Sequence, residues 1–332
     1  MSLSVDDLAR IPALRSVGRM QLARALMAFS ACRIGGGEIL MREGESDRSM
    51  VLVLDGELAV CVGEDQIEVG RIGPGDTVGE LSLFGHLERR AATVITASPC
   101  RLLILDREGL GVLKLDHSPL LGPLREHAAQ TAMERLRDTY RLLSSAVPGS
   151  QRPVTRKGLL GRWLSRSGPK TPPPPLSRVL ALDGIFGREY LPELASHLED
   201  LGEVEGLDAG QLAVEHGQPE AGPVLVLDGR LDLWHPAQSG GHLRLGRLRA
   251  GRLVCLAAGL LGGGSLVSAV AAEPAWILRL PVRLQGALEE RNGTLARIWR
   301  HAAFNAMSDN IRLANAAVEA NRVSLGALAL RF

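Results

Sequence analysis

The chain has 332 residues, 45% of them hydrophobic and 23% charged. That is enough apolar material for two cores and excludes a chain that is disordered over most of its length. A formal net charge of +1 gives no global attraction to nucleic acid, and aromatic residues at 3% leave the cores to Leu, Val, Ile and Ala.

In chain order, the start MSLSVDDLARIPAL has two early acids and no apolar h-region, so no signal peptide is expected. A helical segment is predicted from Val5 to Ser30. A strand-rich middle follows, with short apolar runs at 50–62, 66–72 and 100–106 separated by Gly, Asp and Pro. Over 57–62 and 66–72 the alternation is roughly of period two, which predicts half-buried strands. Asp55-Gly56 and Pro74-Gly75-Asp76 are turn signals, and a helix over about 120–145 closes this part. The four cysteines (Cys32, Cys61, Cys100 and Cys255) are far apart and form no CxxC pair. They are expected to be buried, reduced thiols of a cytoplasmic protein, not a disulfide framework or a metal site.

The same order then recurs. VLVLDGEL at residue 51 returns as VLVLDGRL at residue 224, which is 173 further on. Ala97-Ser98-Pro99 corresponds to Ala272-Glu273-Pro274, and His127-Ala128-Ala129 to His301-Ala302-Ala303, at offsets of 175 and 174. Three matches in one order at nearly one offset indicate a duplicated domain. In the second copy, helices are expected over about 188–201 and 294–322. Short strands flanked by helices suggest a small barrel or roll with helical arms.

Between the copies the composition changes. From Thr139 to Leu182 there is no acidic residue, and eight Arg and Lys side chains give the window a charge of +8. It includes four consecutive prolines, Pro172 to Pro175, a short stiff polyproline element. The expected domains are 1–147, a basic Pro-rich linker at 148–176, and 177–332. Leu159, Leu160, Trp163 and Leu164, set among Arg156, Lys157, Arg162 and Arg166, offer an alternative reading as a weak anchor for anionic membrane or another polyanion. One further run, 253–272, is uncharged over 20 residues, long enough to span a bilayer. Its four glycines and two serines dilute it, and the repeat gives it a place inside a water-facing fold.

The chemistry concentrates in residues 73–94, GPGDTVGELSLFGHLERRAATV. Gly79 lets backbone approach a ligand. Leu81-Ser82-Leu83-Phe84 can form one helical turn whose free N–H groups face an anion. Arg90 is a planar, permanently charged fork suited to phosphate, and Glu80 is placed to accept from a hydroxyl pair. His86 in the variable loop is expected to be inert, and Arg89 a solvated surface charge.

These residues resemble the phosphate-binding cassette of the cyclic nucleotide-binding domain family, which includes the bacterial catabolite activator protein and the regulatory subunits of cAMP-dependent protein kinase. The resemblance covers about 8–145. It rests on Gly79-Glu80-Leu81 and on Arg90 ten residues after Glu80, followed by the small Ala91 and Ala92. It implies an α+β chain of two tandem β-rolls, jelly-roll-like barrels each flanked by helices. Glu80 would then bond the ribose 2′-hydroxyl and Arg90 the cyclic phosphate, with backbone N–H groups of Leu81 and Ser82 adding to it. Ala91, a small apolar residue after the Arg, implies cAMP before cGMP. Leu136 or Tyr140 on the closing helix would cap the base.

In the second copy, offset 175 sets Cys255 at Glu80 and Ser265 at Arg90, and no acid or Arg lies between Leu253 and Ala272. A phosphate there would be buried without a counter-charge, so this copy is expected to be degenerate and used for packing, dimerisation or partner contact. The chain has no nucleophile–base pair, HExxH or Walker spacing, and too little sequence after either closing helix for a DNA-binding domain. The expected function is a non-enzymatic sensor of cyclic nucleotide. On binding it would move the helix at 120–145 and the Arg152–Lys170 stretch to control a protein partner, with a homo-oligomer as one form. The remaining alternative is a scaffold that keeps the fold and binds nothing.

Overall fold

A computed structural model of the chain describes residues 3–85, 89–150, 168–182, 191–218, 222–254, 264–291 and 293–329. The chain divides into two compact units, Met1–Thr139 with Val318–Arg322, and Tyr140–Ala317 with Val323–Phe332.

In the first unit, the expected N-terminal helix is broken into pieces: α1 (Val5–Ala9), a 3₁₀ turn at Pro12–Leu14, α2 (Arg19–Ala25) and a second 3₁₀ turn at Leu26–Ala28. Ser4 caps α1 in a reciprocal capping box with Asp7. Pro12 starts the first turn and Gly18 precedes α2, so two residues unfavourable to a helix interior set the breaks. Eight strands follow: β1 (Ser30–Ile34), β2 (Ile39–Met41), β3 (Met50–Asp55), β4 (Leu58–Val62), β5 (Ile67–Ile72), β6 (Thr77–Val78), β7 (Thr93–Thr96) and β8 (Cys100–Leu105). They form two antiparallel sheets, ordered β1-β8-β3-β6 and β2-β7-β4-β5. Val51, Val53, Cys100 and Leu102 of one sheet and Leu58, Val60, Ile72 and Val94 of the other pack into one apolar cluster. Three helices complete this stretch: α3 (Glu80–Phe84), α4 (Arg107–Leu115) and α5 (Leu121–Ala146). Asp106 caps α4.

The half-buried reading of 57–62 is corrected: β4 is buried at every position. Its alternating residues are Leu and Val against Ala and Cys, all apolar, so LAVCV is the composition of a strand covered on both faces. In β5 the exposed and half-buried positions of a partly covered strand do appear.

The second unit repeats the plan. After α6 (Leu176–Leu180) and α7 (Leu191–Leu201) come β9 (Glu203–Leu207), β10 (Leu212–Val214), β11 (Val224–Asp228), β12 (Arg230–Pro236), β13 (His242–Arg249), β14 (Leu253–Val254), β15 (Ser268–Ala271) and β16 (Ala275–Arg279). Their sheet orders are β10-β15-β12-β13 and β14-β11-β16-β9, the orders of the first unit with eight added to each strand number. The irregularities recur as well. The β2/β7 bulge at Ile39/Met41 returns at Leu212/Val214, the β3/β8 bulge at Val53/Asp55 returns at Val226/Asp228, and the β4/β5 bulge at Val60/Cys61 returns at Leu233/Trp234. A bulge reorients every side chain beyond it, so three bulges at one offset make the duplication structural. The unit closes with α8 (Leu284–Arg291), α9 (Gly293–Ala320) and α10 (Arg322–Ala329). The chain is therefore α+β, with two tandem β-rolls flanked by helices.

Cys61 and Cys100 are buried and Cys32 half-buried, all three as free thiols; Cys255 lies outside the described residues. Among the described residues no helix is long and apolar enough to cross a membrane. Residues 253–254 and 268–271 of the uncharged run are strands.

Candidate functional site

The site is built where β6 ends. Val78 is followed by Gly79 in the left-handed conformation (φ +85°), and α3 starts at Glu80. Two constraints demand glycine here. L-residues avoid that φ, and a Cβ would sit 2.5 Å from the Ser49 carbonyl oxygen and 2.6 Å from Arg90 Nη1. The chain thus turns tightly enough to bring Glu80 and Arg90 to the same glycine.

Glu80 is 1% exposed. One carboxylate oxygen, Oε1, pairs with Arg135 of α5. The other, Oε2, is buried with no hydrogen-bond partner among the described residues. Arg90 is 4% exposed. Its Nη1 donates to the carbonyls of Ser49 at 2.7 Å and Gly79 at 3.4 Å. Its Nη2 donates to Ser49 Oγ at 2.9 Å and pairs with the Asp47 carboxylate. Its Nε is buried without a partner among the described residues. Asp47 is the solvent-facing counter-ion of this buried guanidinium. Burial pushes the Asp47 carboxyl up, but hydrogen bonds from Ser49 and Arg90 and the Arg90 charge outweigh it and hold it below the ordinary carboxylate value.

The backbone fixes Arg90 independently of its side chain. Its N–H donates to the Glu45 carbonyl at 2.7 Å, and its carbonyl accepts from Gly44 N–H at 3.0 Å. Leu81 and Ser82 are buried in α3, and the Ser82 N–H donates to the Gly79 carbonyl at 3.2 Å. Ala91 is half-buried beside Arg90. Arg89 is exposed, with Nη1 on the Gly44 carbonyl at 2.9 Å; His86 lies outside the described residues. Of the two expected capping residues, Leu136 is buried on α5 in the first unit. Tyr140 belongs to the second unit, where its ring packs on His235.

Two charged members of the site escaped the sequence reading. Arg135 had a signal. It lies in line with Leu124, Ala128 and Thr131 at helical spacing, on the buried stripe of α5, and a charge within such a stripe needs a partner. Asp47 had none; the loop GESDRS reads as any polar turn.

Residues 32–114 match the family model described as the cyclic nucleotide-binding domain. These residues lie within the first unit. A curated relative of the chain is the cAMP-dependent protein kinase type II regulatory subunit of Drosophila melanogaster. It is 27% identical over 153 residues, which are 46% of this chain and 37% of that protein; the chain therefore spans little more than a third of that relative. Among solved structures, the regulatory domain of Toxoplasma gondii PKA with cAMP aligns over 89% of this chain and 94% of that one, at 17% identity and a TM-score of 0.31. A cyclic nucleotide-binding domain from Methylobacillus flagellatus aligns over 41% and 80%, at 18% identity and a TM-score of 0.37. The tandem fold rests on the sheet-by-sheet correspondence within the chain.

Each backbone contact of Arg90 in the first unit has a counterpart in the second. Ser265 N–H donates to the Gln218 carbonyl at 3.1 Å, and the Ser265 carbonyl accepts from Gly217 N–H at 2.8 Å. Ser265 therefore occupies the Arg90 position. It is 2% exposed, and its hydroxyl donates to the Val267 carbonyl at 2.7 Å. On the other side, β6 and β14 match at an offset of 176, which moves the Glu80 counterpart from Cys255 to Leu256; both lie outside the described residues. Asp309, 174 residues after Arg135, pairs with Arg252, in the turn that corresponds to Asp76. The basic stretch from Arg156 to Arg166, including Leu159, Leu160, Trp163 and Leu164, also lies outside the described residues.

Proposed function

We propose that the chain is a non-enzymatic, cytoplasmic cyclic nucleotide sensor whose ligand site is the first unit's cassette: Gly79, Glu80, Leu81, Ser82, Arg90 and Ala91. One observation carries this. An acceptor, Glu80 Oε2, and a donor, Arg90 Nε, are both buried without partners among the described residues, around one glycine that tolerates no Cβ. Buried polar groups are almost always bonded. An acceptor for a hydroxyl beside a permanently charged donor for an anion suits a ribose cyclic phosphate. Glu80 takes the 2′-hydroxyl and Arg90 the phosphate. The amides of Leu81 and Ser82 open α3 towards it, that of Ser82 shared with the Gly79 carbonyl. Leu136 closes over the base. Ala91 offers no hydroxyl to a guanine, which supports cAMP as the ligand.

The output runs through α5. Glu80 uses one oxygen for Arg135 and the other for the ligand, so one carboxylate reports occupancy to the helix. A ligand at 100 times its Kd stabilises the bound arrangement by about 2.7 kcal/mol, enough to shift a two-state helix position and so a protein partner. The second unit, with Ser265 for Arg90, serves packing or partner contact.

Isothermal titration with cAMP and with cGMP tests the reading. Micromolar binding of either, weakened by about 2–4 kcal/mol in Arg90→Ala, is expected. Absence of binding leaves the scaffold alternative, and full affinity in Arg90→Ala removes the site assignment.

A further inference from the structure

The second unit holds a histidine cluster that the cassette reading does not use. His235 lies on β12 and is 9% exposed. Its Nδ1 is 2.8 Å from the Leu266 carbonyl. A carbonyl only accepts, so Nδ1 carries the proton and the neutral ring is fixed in one tautomer. The edge of the His216 ring, from the loop after β10, meets His235 at 5.0 Å and 84°. Tyr140, 2% exposed near the end of α5, packs on it at 5.4 Å. Next to it, Ser144 Oγ donates to the Pro236 carbonyl at 2.7 Å. One imidazole thus joins α5, the loop after β10 and the 265–267 loop, which is the counterpart of the Arg90-Ala91-Ala92 segment.

The surroundings do not suit a cation. The titratable groups facing His235 are Tyr140 of α5, His216, and His242 of β13. On its own strand, the Asp232 carboxylate is committed to Arg244 and Arg247. Glu215 adjoins His216 in the chain, and among the described residues no carboxylate acts on the His235 ring. Burial, reinforced by His216 and His242 and only partly offset by the Leu266 hydrogen bond, lowers its pKa from the ordinary histidine value. In the first unit the equivalent positions are Val62, Glu43 and Ala91, so that unit has no such cluster.

We propose that His235 is an acid-sensitive latch: neutral, it pins the end of α5 and the 265–267 loop to β12, and on taking up a solvent proton it releases both. Above the unfolded-state pKa of 6.5 the ring is neutral in both states and pH has no effect through it. Below that value the released or unfolded form binds a proton that the latched form refuses, so the latch weakens as pH falls.

Amide hydrogen exchange of the full chain, as protection factors at pH 7.5, 6.0 and 5.0, tests this without any nucleotide. Protection at 140–145 and 265–267 is expected to fall by up to about tenfold per pH unit below 6.5, while β3 and β4 hold theirs. In His235→Gln, whose amide can still donate to Leu266, the fall should vanish. Constant protection in the wild type, or an equal fall in His235→Gln, overturns the latch. If that variant does not fold, an NMR titration of the wild-type imidazole decides. A midpoint below 6.5 sustains the latch, and one at or above 6.5 removes it.

Discussion

Gly79 shows how much a single position can carry. Its left-handed φ and the contacts at 2.5 and 2.6 Å act together, so Gly79→Ala must both strain the backbone and push Arg90 and Ser49 away. A loss of about 2–4 kcal/mol of stability is expected, read from chemical denaturation. Ala91 belongs to the same scale. A hydroxyl placed there in Ala91→Thr should raise affinity for cGMP relative to cAMP, and an unchanged ratio by calorimetry removes position 91 from selectivity. Asp47 gives a pH prediction. Its carboxyl is held below the ordinary value of 3.8, so its pairing with Arg90 is complete above that pH and is lost as pH falls through the lowered pKa. Asp47→Asn should flatten this acid limb of the denaturation profile below pH 4.

At the scale of elements, α5 matters most. Its buried stripe carries a charge where Arg135 meets Glu80, and one member of a buried pair cannot be removed cheaply. Arg135→Met should destabilise the first unit by about 3–5 kcal/mol, because the Glu80 charge is left 1% exposed without its counter-ion. Chemical denaturation reads the loss, and a variant as stable as the wild type counts against the pairing. The strands teach a different lesson. β4 reads as alternating and is buried throughout, because Ala59 and Cys61 are apolar enough to be covered.

For the whole molecule, duplication with divergence is the organising fact. Sheet order and three bulges survive in both units, while Arg90 has become Ser265. A fold tolerates replacement of a buried charged side chain because bulges and turns are set by backbone hydrogen bonds, which Ser265 keeps. One cyclic nucleotide per chain is therefore expected from calorimetric stoichiometry, and Arg90→Ala should leave no second class of sites behind. A stoichiometry of two would show that the second unit binds by other means.

The repeat, the strand runs at 50–62, 66–72 and 100–106, the two long closing helices, and Glu80 and Arg90 were legible in the sequence. Each leaves a local mark: a periodic apolar run, a glycine turn, or an acid and an Arg at fixed spacing. The partners of that pair were decided only in three dimensions. Asp47 and Arg135 lie 43 and 55 residues from the groups they neutralise, and a counter-ion is chosen by who is near in space when a charge leaves water. The same holds for Tyr140. By spacing it was as good a base cap as Leu136, and in the fold its ring packs on His235: residues four apart share a helix face but sit about 6 Å apart along the axis, so each meets the surface the helix has reached there.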